Sequence, residues 1–153
     1  MDTMPRLADI ADAATVGRLL HDFNAEYDEF SPGPEALERR MRKLLETAEI
    51  TVLLAGDPPE GFALLRFRPA LVAETLECYL QELYVVPDRR GLGIGRGLME
   101  AAMETARERG ATYMDLGTSE TDVAARALYE SLGFDNREGK PDGPVNYFYE
   151  RAL

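Results

Sequence analysis

The first half of the chain opens with apolar residues at helical spacing. From Asp9, which can act as an N-cap, Val16, Leu19, Leu20, Phe23 and Tyr27 recur every three or four positions and predict a first helix. After the loop "FSPGPE" (30–35), Pro34 suits a first helical turn, and Leu37, Met41, Leu44, Leu45 and Ala48 share one face of a second helix. Two helices are therefore expected before the first segment with strand character. "ITVLLA" (50–55), "GFALLRFRP" (61–69) and "ETLECYLQELYVV" (74–86) read as strands of a meander, with "GDPPEG" (56–61) turning between the first two. Ile94, Leu98, Ala101, Ala102 and Ala106 then mark a helix that stops near Gly110, and "ATYMDLG" (111–117) follows as a strand. Strand, helix, strand implies a parallel crossover. A further helix runs from about Thr121 to Leu132 and ends at Gly133. After the loop "GKPDGP" (139–144), "VNYFYERAL" supplies a last strand. The class is α+β, a mixed sheet with helices on its faces.

Composition narrows this picture. At 153 residues and 45% apolar content, the chain suits one domain, 1–153. It has no run of about 18 apolar residues, and "MDTMPRLADIADA" lacks the layout of a signal peptide, so a soluble cytoplasmic protein without membrane contact is expected. One cysteine, Cys78, allows no internal disulfide, and with the single His21 it cannot furnish an N/S-rich metal site; no metal is expected. Cys78 reads as a buried small apolar residue and His21 as a surface or rim residue. Seventeen basic against 28 acidic residues give a net charge of −11, which repels nucleic acid and would attract small cations. The same balance also serves solubility alone. Against it stands one basic cluster, Arg89, Arg90 and Arg96, around a run of glycines.

That run, "RRGLGIGRG" (89–97), lies between strand and helix. Its spacing fails the dinucleotide fingerprint, because Arg96 and Leu98 stand where a third glycine is required, and no Lys-Ser/Thr pair follows as a triphosphate loop demands. A glycine turn leading into a helix whose first N–H groups are free of i−4 partners remains, and such an end can hold an anion on bare main chain. A tight strand-to-helix turn without a ligand explains the same glycines.

Arg90-Gly91-Leu92-Gly93-Ile94-Gly95 matches the Q/R-x-x-G-x-G/A signature of the GCN5-related N-acetyltransferase (GNAT) superfamily. "LQELYVVPDRRGLGIGRGLM" resembles that family's fourth strand, pyrophosphate loop and third helix. In "TDVAARALYESLGF" (121–134), Asp122, Ala125, Tyr129, Gly133 and Phe134 fall at the spacings of its later motif. The resemblance implies the GNAT fold, a mixed, mostly antiparallel sheet of about 6–7 strands flanked by about four helices. It also implies acetyl-CoA as acyl donor and transfer to an amine by direct attack through a tetrahedral intermediate.

Residue by residue, the resemblance implies that the main-chain N–H groups from Arg90 to Arg96 (Arg90, Gly91, Leu92, Gly93, Ile94, Gly95, Arg96) hold the pyrophosphate. The backbone of Leu83, Tyr84 and Val85 would pair with the pantetheine arm, and an N–H near Leu83 or Tyr84 would polarise the thioester carbonyl. Arg89 or Arg96 could also meet the 3′-phosphate, or stay solvated. An amine of pKa ~10 must lose a proton before it attacks, which a carboxylate can assist. Glu82 is the candidate base, on the strand expected beside the thioester; the competing role is to orient a substrate ammonium or pair with an arginine. Strict alternation would put Leu80, Glu82, Tyr84 and Val86 on one face and Tyr79, Gln81, Leu83 and Val85 on the other. Tyr129 matches the family's usual acid, a phenol that donates a proton or a hydrogen bond to the leaving thiolate, and otherwise reads as a packed tyrosine. Where many members have Asn, this chain has Asp122, which can cap a helix but cannot donate as an amide does; its contact with the cofactor rests on the resemblance alone.

For the acceptor, "NAEYDEFSPGPE" places Tyr27, Asp28 and Phe30 together with Glu26 and Glu29, acids mixed with aromatics that suit a polyamine, an aminoglycoside or a lysine side chain. A solvated acidic helix end explains the same residues. Three functions compete: a small-molecule amine N-acetyltransferase, a protein N-terminal or lysine acetyltransferase, and a non-catalytic acyl-CoA-binding module, against which the presence of both Glu82 and Tyr129 speaks. A homodimer is compatible with a domain of this kind.

Overall fold

The computed structural model describes residues 4–153. They fall into two compact units, 4–116 and 117–153.

The first unit carries a five-stranded sheet, β1 (Arg6–Leu7), β2 (Thr51–Ala55), β3 (Gly61–Pro69), β4 (Leu76–Val85) and β5 (Ala111–Leu116), in that spatial order. The first three pairings are antiparallel and β4–β5 is parallel, the crossover being made by helix α3 (Ile94–Glu108). Helices α1 (Ala13–Glu26) and α2 (Pro34–Glu46) lie between β1 and β2 in the chain. β1 escapes the periodicity argument because two residues give no alternation to detect; it adds Arg6 opposite Leu54 and Leu7 opposite Leu53. Asp9 does cap, but it caps a short 3₁₀ turn, Ile10–Asp12, through a reciprocal box with Asp12, and α1 starts after it.

Successive strand residues point to opposite faces, and each face of the sheet has its own helices. Val52, Leu54, Phe62, Leu64 and Tyr84 pack with Val16 and Leu19 of α1 and Met41 and Leu44 of α2. On the other face, Leu53, Ala63, Leu65, Leu80 and Cys78 are buried, as are Leu98, Met99, Ala102 and Ala106 of α3. A Cβ on Gly61 would meet the Leu98 side chain at 3.2 Å, which fixes α3 to that second face. α1 and α2 cross closely at Gly17, where a Cβ would stand 2.8 Å from the backbone nitrogen of Glu38.

The second unit contains α4 (Val123–Ser131) and a C-terminal stretch without regular structure. The expectation of 6–7 strands is therefore corrected to five among the described residues, and "VNYFYERAL" forms no strand. Its Tyr147, Phe148 and Tyr149 are all exposed, whereas a strand needs an edge that supplies ladder partners and covers one face. No helix among the described residues is long and apolar enough to cross a membrane.

Candidate acyl-transfer site

β4 changes character halfway along. From Leu76 to Leu80 it pairs with β3 on one side and β5 on the other, but β5 ends at Leu116, opposite Leu80. Glu82 to Val85 keep β3 as their ladder neighbour and, like Gln81, have no β5 partner, so one edge of this stretch is open to an extended ligand.

A bulge sits at the same place. Leu65 pairs with Leu80 and Leu64 with Glu82, so Gln81 is the extra residue of β4. Cross-strand partners share a face, and Leu64 and Leu65 point oppositely. Glu82 consequently joins Tyr84 on the α1–α2 face, while Leu80 belongs to the α3 face. This corrects the strict alternation that grouped Leu80 with Glu82. Gln81 itself is exposed and its Oε1 accepts a 2.6 Å bond from Arg66 Nε.

Glu82 is half-buried on that face. Burial, and secondarily the negative charge of Glu29, push its carboxyl up from an ordinary value near 4.5 to about 6. Such a group is ionised at neutral pH yet basic enough to accept a proton. Glu29 belongs to the segment after α1, which side chains hold in place: Asn24 Nδ2 donates to the Phe30 carbonyl at 2.8 Å, the Glu29 N–H donates to the Asn24 carbonyl at 2.8 Å, and His21 Nδ1 meets Ser31 Oγ at 2.7 Å. His21 is thus a brace of this loop. Of the predicted acceptor residues, Phe30 is 82% exposed, Tyr27 packs edge-on to Phe23 with 5.3 Å between centroids, and Asp28 holds a left-handed φ of 56°.

Beyond Val85 the chain makes a 3₁₀ turn, Pro87–Arg89, then enters α3 through the glycines. Gly91 (φ 77°) and Gly93 (φ 85°) are left-handed, and a Cβ at either would meet nothing within 4 Å. Glycine is needed here for backbone conformation, while the space beside it stays open, as a main-chain anion cradle requires. Gly93 is the N-cap of α3, so the N–H groups of the first turn point back at the loop, and Leu92 stands 62% exposed at its tip.

The arginines around the glycines are more committed than their sequence suggests. Arg89 Nε binds Glu60 Oε2 at 2.9 Å, and the Glu60 carbonyl also accepts from the Val86 N–H at 2.8 Å. Arg90 Nε donates to the Val85 carbonyl at 2.9 Å and its Nη2 to Glu26 Oε1 at 2.7 Å. The Arg89 side chain is therefore paired rather than solvated. The sequence carries no local sign that Glu60 and Glu26 pair with these arginines, because the partners lie 29 and 64 residues apart in the chain.

In the second unit, Asp122 caps α4, its Oδ1 accepting from the Ala125 N–H at 3.1 Å. Tyr129 is buried, 9% exposed, edge-on to Phe134 with 6.2 Å between centroids. Burial first, and then the charge of Asp122, push its phenol up to about 12. Cys78, fully buried in the first unit, has its thiol raised to about 11, again mainly by burial, which removes the thiolate a nucleophile needs. Among the described residues no group of three or more His, Cys, Asp or Glu is placed to hold a metal ion.

Comparison with known proteins finds acetyltransferases. The chain is 30% identical over 138 residues to the uncharacterised N-acetyltransferase YhfO of Bacillus subtilis (strain 168), covering 88% of this chain and 91% of that one. Over 99 residues it is 36% identical to the aminoglycoside N(6′)-acetyltransferase type 1 of Klebsiella aerogenes, covering 60% and 62% of the two chains. The crystal structure of a protein of Arthrobacter sp. FB24 described as an acetyltransferase superposes with a TM-score of 0.89 at 41% identity, over 98% of this chain and 96% of that one. The model of the acetyltransferase (GNAT) family matches residues 16–134, from α1 through the glycine loop to the end of the α4 motif. With a parallel strand that outruns its neighbour, a left-handed glycine cradle at the next helix and that match, the chain belongs to the GNAT family of acyl-CoA-dependent N-acetyltransferases.

Proposed function

We propose that this enzyme acetylates a primary amine of a small cationic molecule, a polyamine or an aminoglycoside, using acetyl-CoA. The observation that carries the cofactor half is the continuity of the open β4 stretch, Gln81 to Val85, with the left-handed cradle at Gly91 and Gly93. The open space beside those glycines fits a diphosphate lying on main chain, and acetyl-CoA, the donor used by the family, supplies the acetyl thioester when bound. The N–H groups from Arg90 to Arg96 hold the pyrophosphate, and the backbone of Leu83, Tyr84 and Val85 lies along the pantetheine. The Val85 carbonyl already accepts from Arg90 and the Tyr84 carbonyl lies against Gly61 of β3, so Leu83 offers the freer groups.

Glu82 takes the proton from the acceptor ammonium, directly or through water; a carboxyl near 6 is ionised at pH 7 and lies closer to the amine than an ordinary glutamate does. Tyr129, matched to the family's motif, is the donor to the leaving sulfur. A phenol near 12 keeps its proton across the working range, and full transfer to a thiolate of pKa ~8.5 would be uphill. Its contribution is a hydrogen bond. Asp122 serves this half by ordering α4 through its cap. The whole chain is one acetyltransferase domain in this reading, which the family match supports by running across the boundary at Leu116.

The acceptor reading rests on Glu82 with Glu29, Asp28 and the aromatics Tyr27 and Phe30 on one loop, and on the similarity to an aminoglycoside acetyltransferase. The test is mass analysis of products after incubation with acetyl-CoA and a panel of polyamines, aminoglycosides, amino acids and peptides. Acetylated polyamine or aminoglycoside is expected; acetylated peptide alone would move the assignment to a protein acetyltransferase.

A further inference from the structure

The side chain of Arg90 ties three pieces of the first unit together. Its Nε donates to the Val85 carbonyl at 2.9 Å, at the end of the open stretch of β4. Its Nη2 donates to Glu26 at 2.7 Å, the last residue of α1. The guanidinium carbon stands 5.7 Å from the centroid of the Tyr84 ring, and that ring stacks on Phe23 of α1 at 4.9 Å. The main chain of the same residue begins the glycine cradle.

Only a guanidinium has this set of contacts in reach. Its planar fork can serve a carbonyl along one edge and a carboxylate along the other while lying over an aromatic ring, whereas a lysine ammonium is a single point. Glu26 is followed directly by the loop that carries Glu29, whose charge bears on Glu82. A displacement of Arg90 is therefore felt at the end of α1 and at the start of the acceptor loop.

We propose that Arg90 and Glu26 are positioning residues that couple occupation of the glycine cradle to the order of the acceptor loop. Filling the cradle fixes the main chain at Arg90 and with it the guanidinium that holds Glu26, so the segment Asn24–Ser31 is stiffened before an amine arrives. The inference rests on the cradle's being the CoA site.

Amide hydrogen exchange of the full chain with and without CoA tests this. In the wild type, CoA is expected to slow exchange several-fold both at 91–96 and at 24–31. In Glu26→Gln the slowing at 91–96 persists and the CoA-dependent slowing at 24–31 is lost, whereas Arg90→Lys, which keeps one charge contact, retains part of it. A merely structural ion pair would loosen the end of α1 equally with and without CoA, leaving the CoA-dependent difference intact, and that result overturns the coupling. So does wild-type slowing at 91–96 with none at 24–31. Absence of any slowing at 91–96 in the wild type would instead remove the CoA site itself, and the coupling with it.

Discussion

Glu82 lies directly across the β3–β4 ladder from Leu64, a core leucine packed under α1 and α2. A carboxylate that shares a face with that core ionises reluctantly, which is why its carboxyl is pushed up to about 6. In the unfolded chain the group returns to about 4.5, so the folded state holds the proton more tightly. Stability from this group is full below about 4.5 and is lost as the pH rises through about 6. Glu82→Gln should therefore stabilise the protein at pH 8 by about 1–2 kcal/mol, discounted for partial solvent access, and make no difference at pH 4. Urea melts at the two pH values check the sign.

The same substitution should lower turnover by about 10²–10⁴-fold if Glu82 is the base. The wild-type rate should rise with pH through about 6, as the carboxylate forms. Glu82→Gln should lose that limb, and a pH-rate profile that kept it would point to another base.

Gly93 occupies left-handed backbone with open space where a Cβ would go. Gly93→Ala is expected to cost about 1–2 kcal/mol of stability through conformation alone, since the methyl group meets no protein atom. A loss of CoA affinity measured by calorimetry would then report a ligand in that space. Unchanged affinity would place the ligand elsewhere.

Gly17 presents the opposite situation, with helical backbone but no room. Its Cβ would stand 2.8 Å from the Glu38 nitrogen and 3.1 Å from the Glu38 Cα. Overpacking of this kind costs about 1–3 kcal/mol, against which the better helix propensity of alanine returns about 1 kcal/mol. Gly17→Ala should be a net loss in thermal melts, with CoA affinity unaltered.

Tyr129→Phe keeps the ring and its edge contact with Phe134 while removing the hydroxyl. Turnover should fall far more than CoA affinity, a split that steady-state kinetics and calorimetry together resolve. Equal turnover would leave Tyr129 as packing.

Periodicity was enough for α2, α3, β2 and β3, because their apolar residues are continuous and their ends carry Pro34, Gly61 or Gly110. It was not enough for β4. "YLQELYV" reads as unbroken alternation, and nothing local reveals that Gln81 is bulged, since a bulge is a property of the pairing with β3. The open edge is equally invisible, because it depends on where β5 stops. The cradle was legible from its glycines, but the arginines beside it looked like phosphate ligands until Glu60 and Glu26 came from distant segments to meet two of them. "VNYFYERAL" has strand composition, yet composition supplies no partner edge.

The proposed activity is acetyl transfer to a small cationic amine. Thiol release from acetyl-CoA by the full chain, with a polyamine, an aminoglycoside or a free-amine peptide in turn, tests it most directly. Saturable release with a polyamine or an aminoglycoside, weaker with peptide, is the predicted result; tight CoA binding with no release on any amine would contradict it.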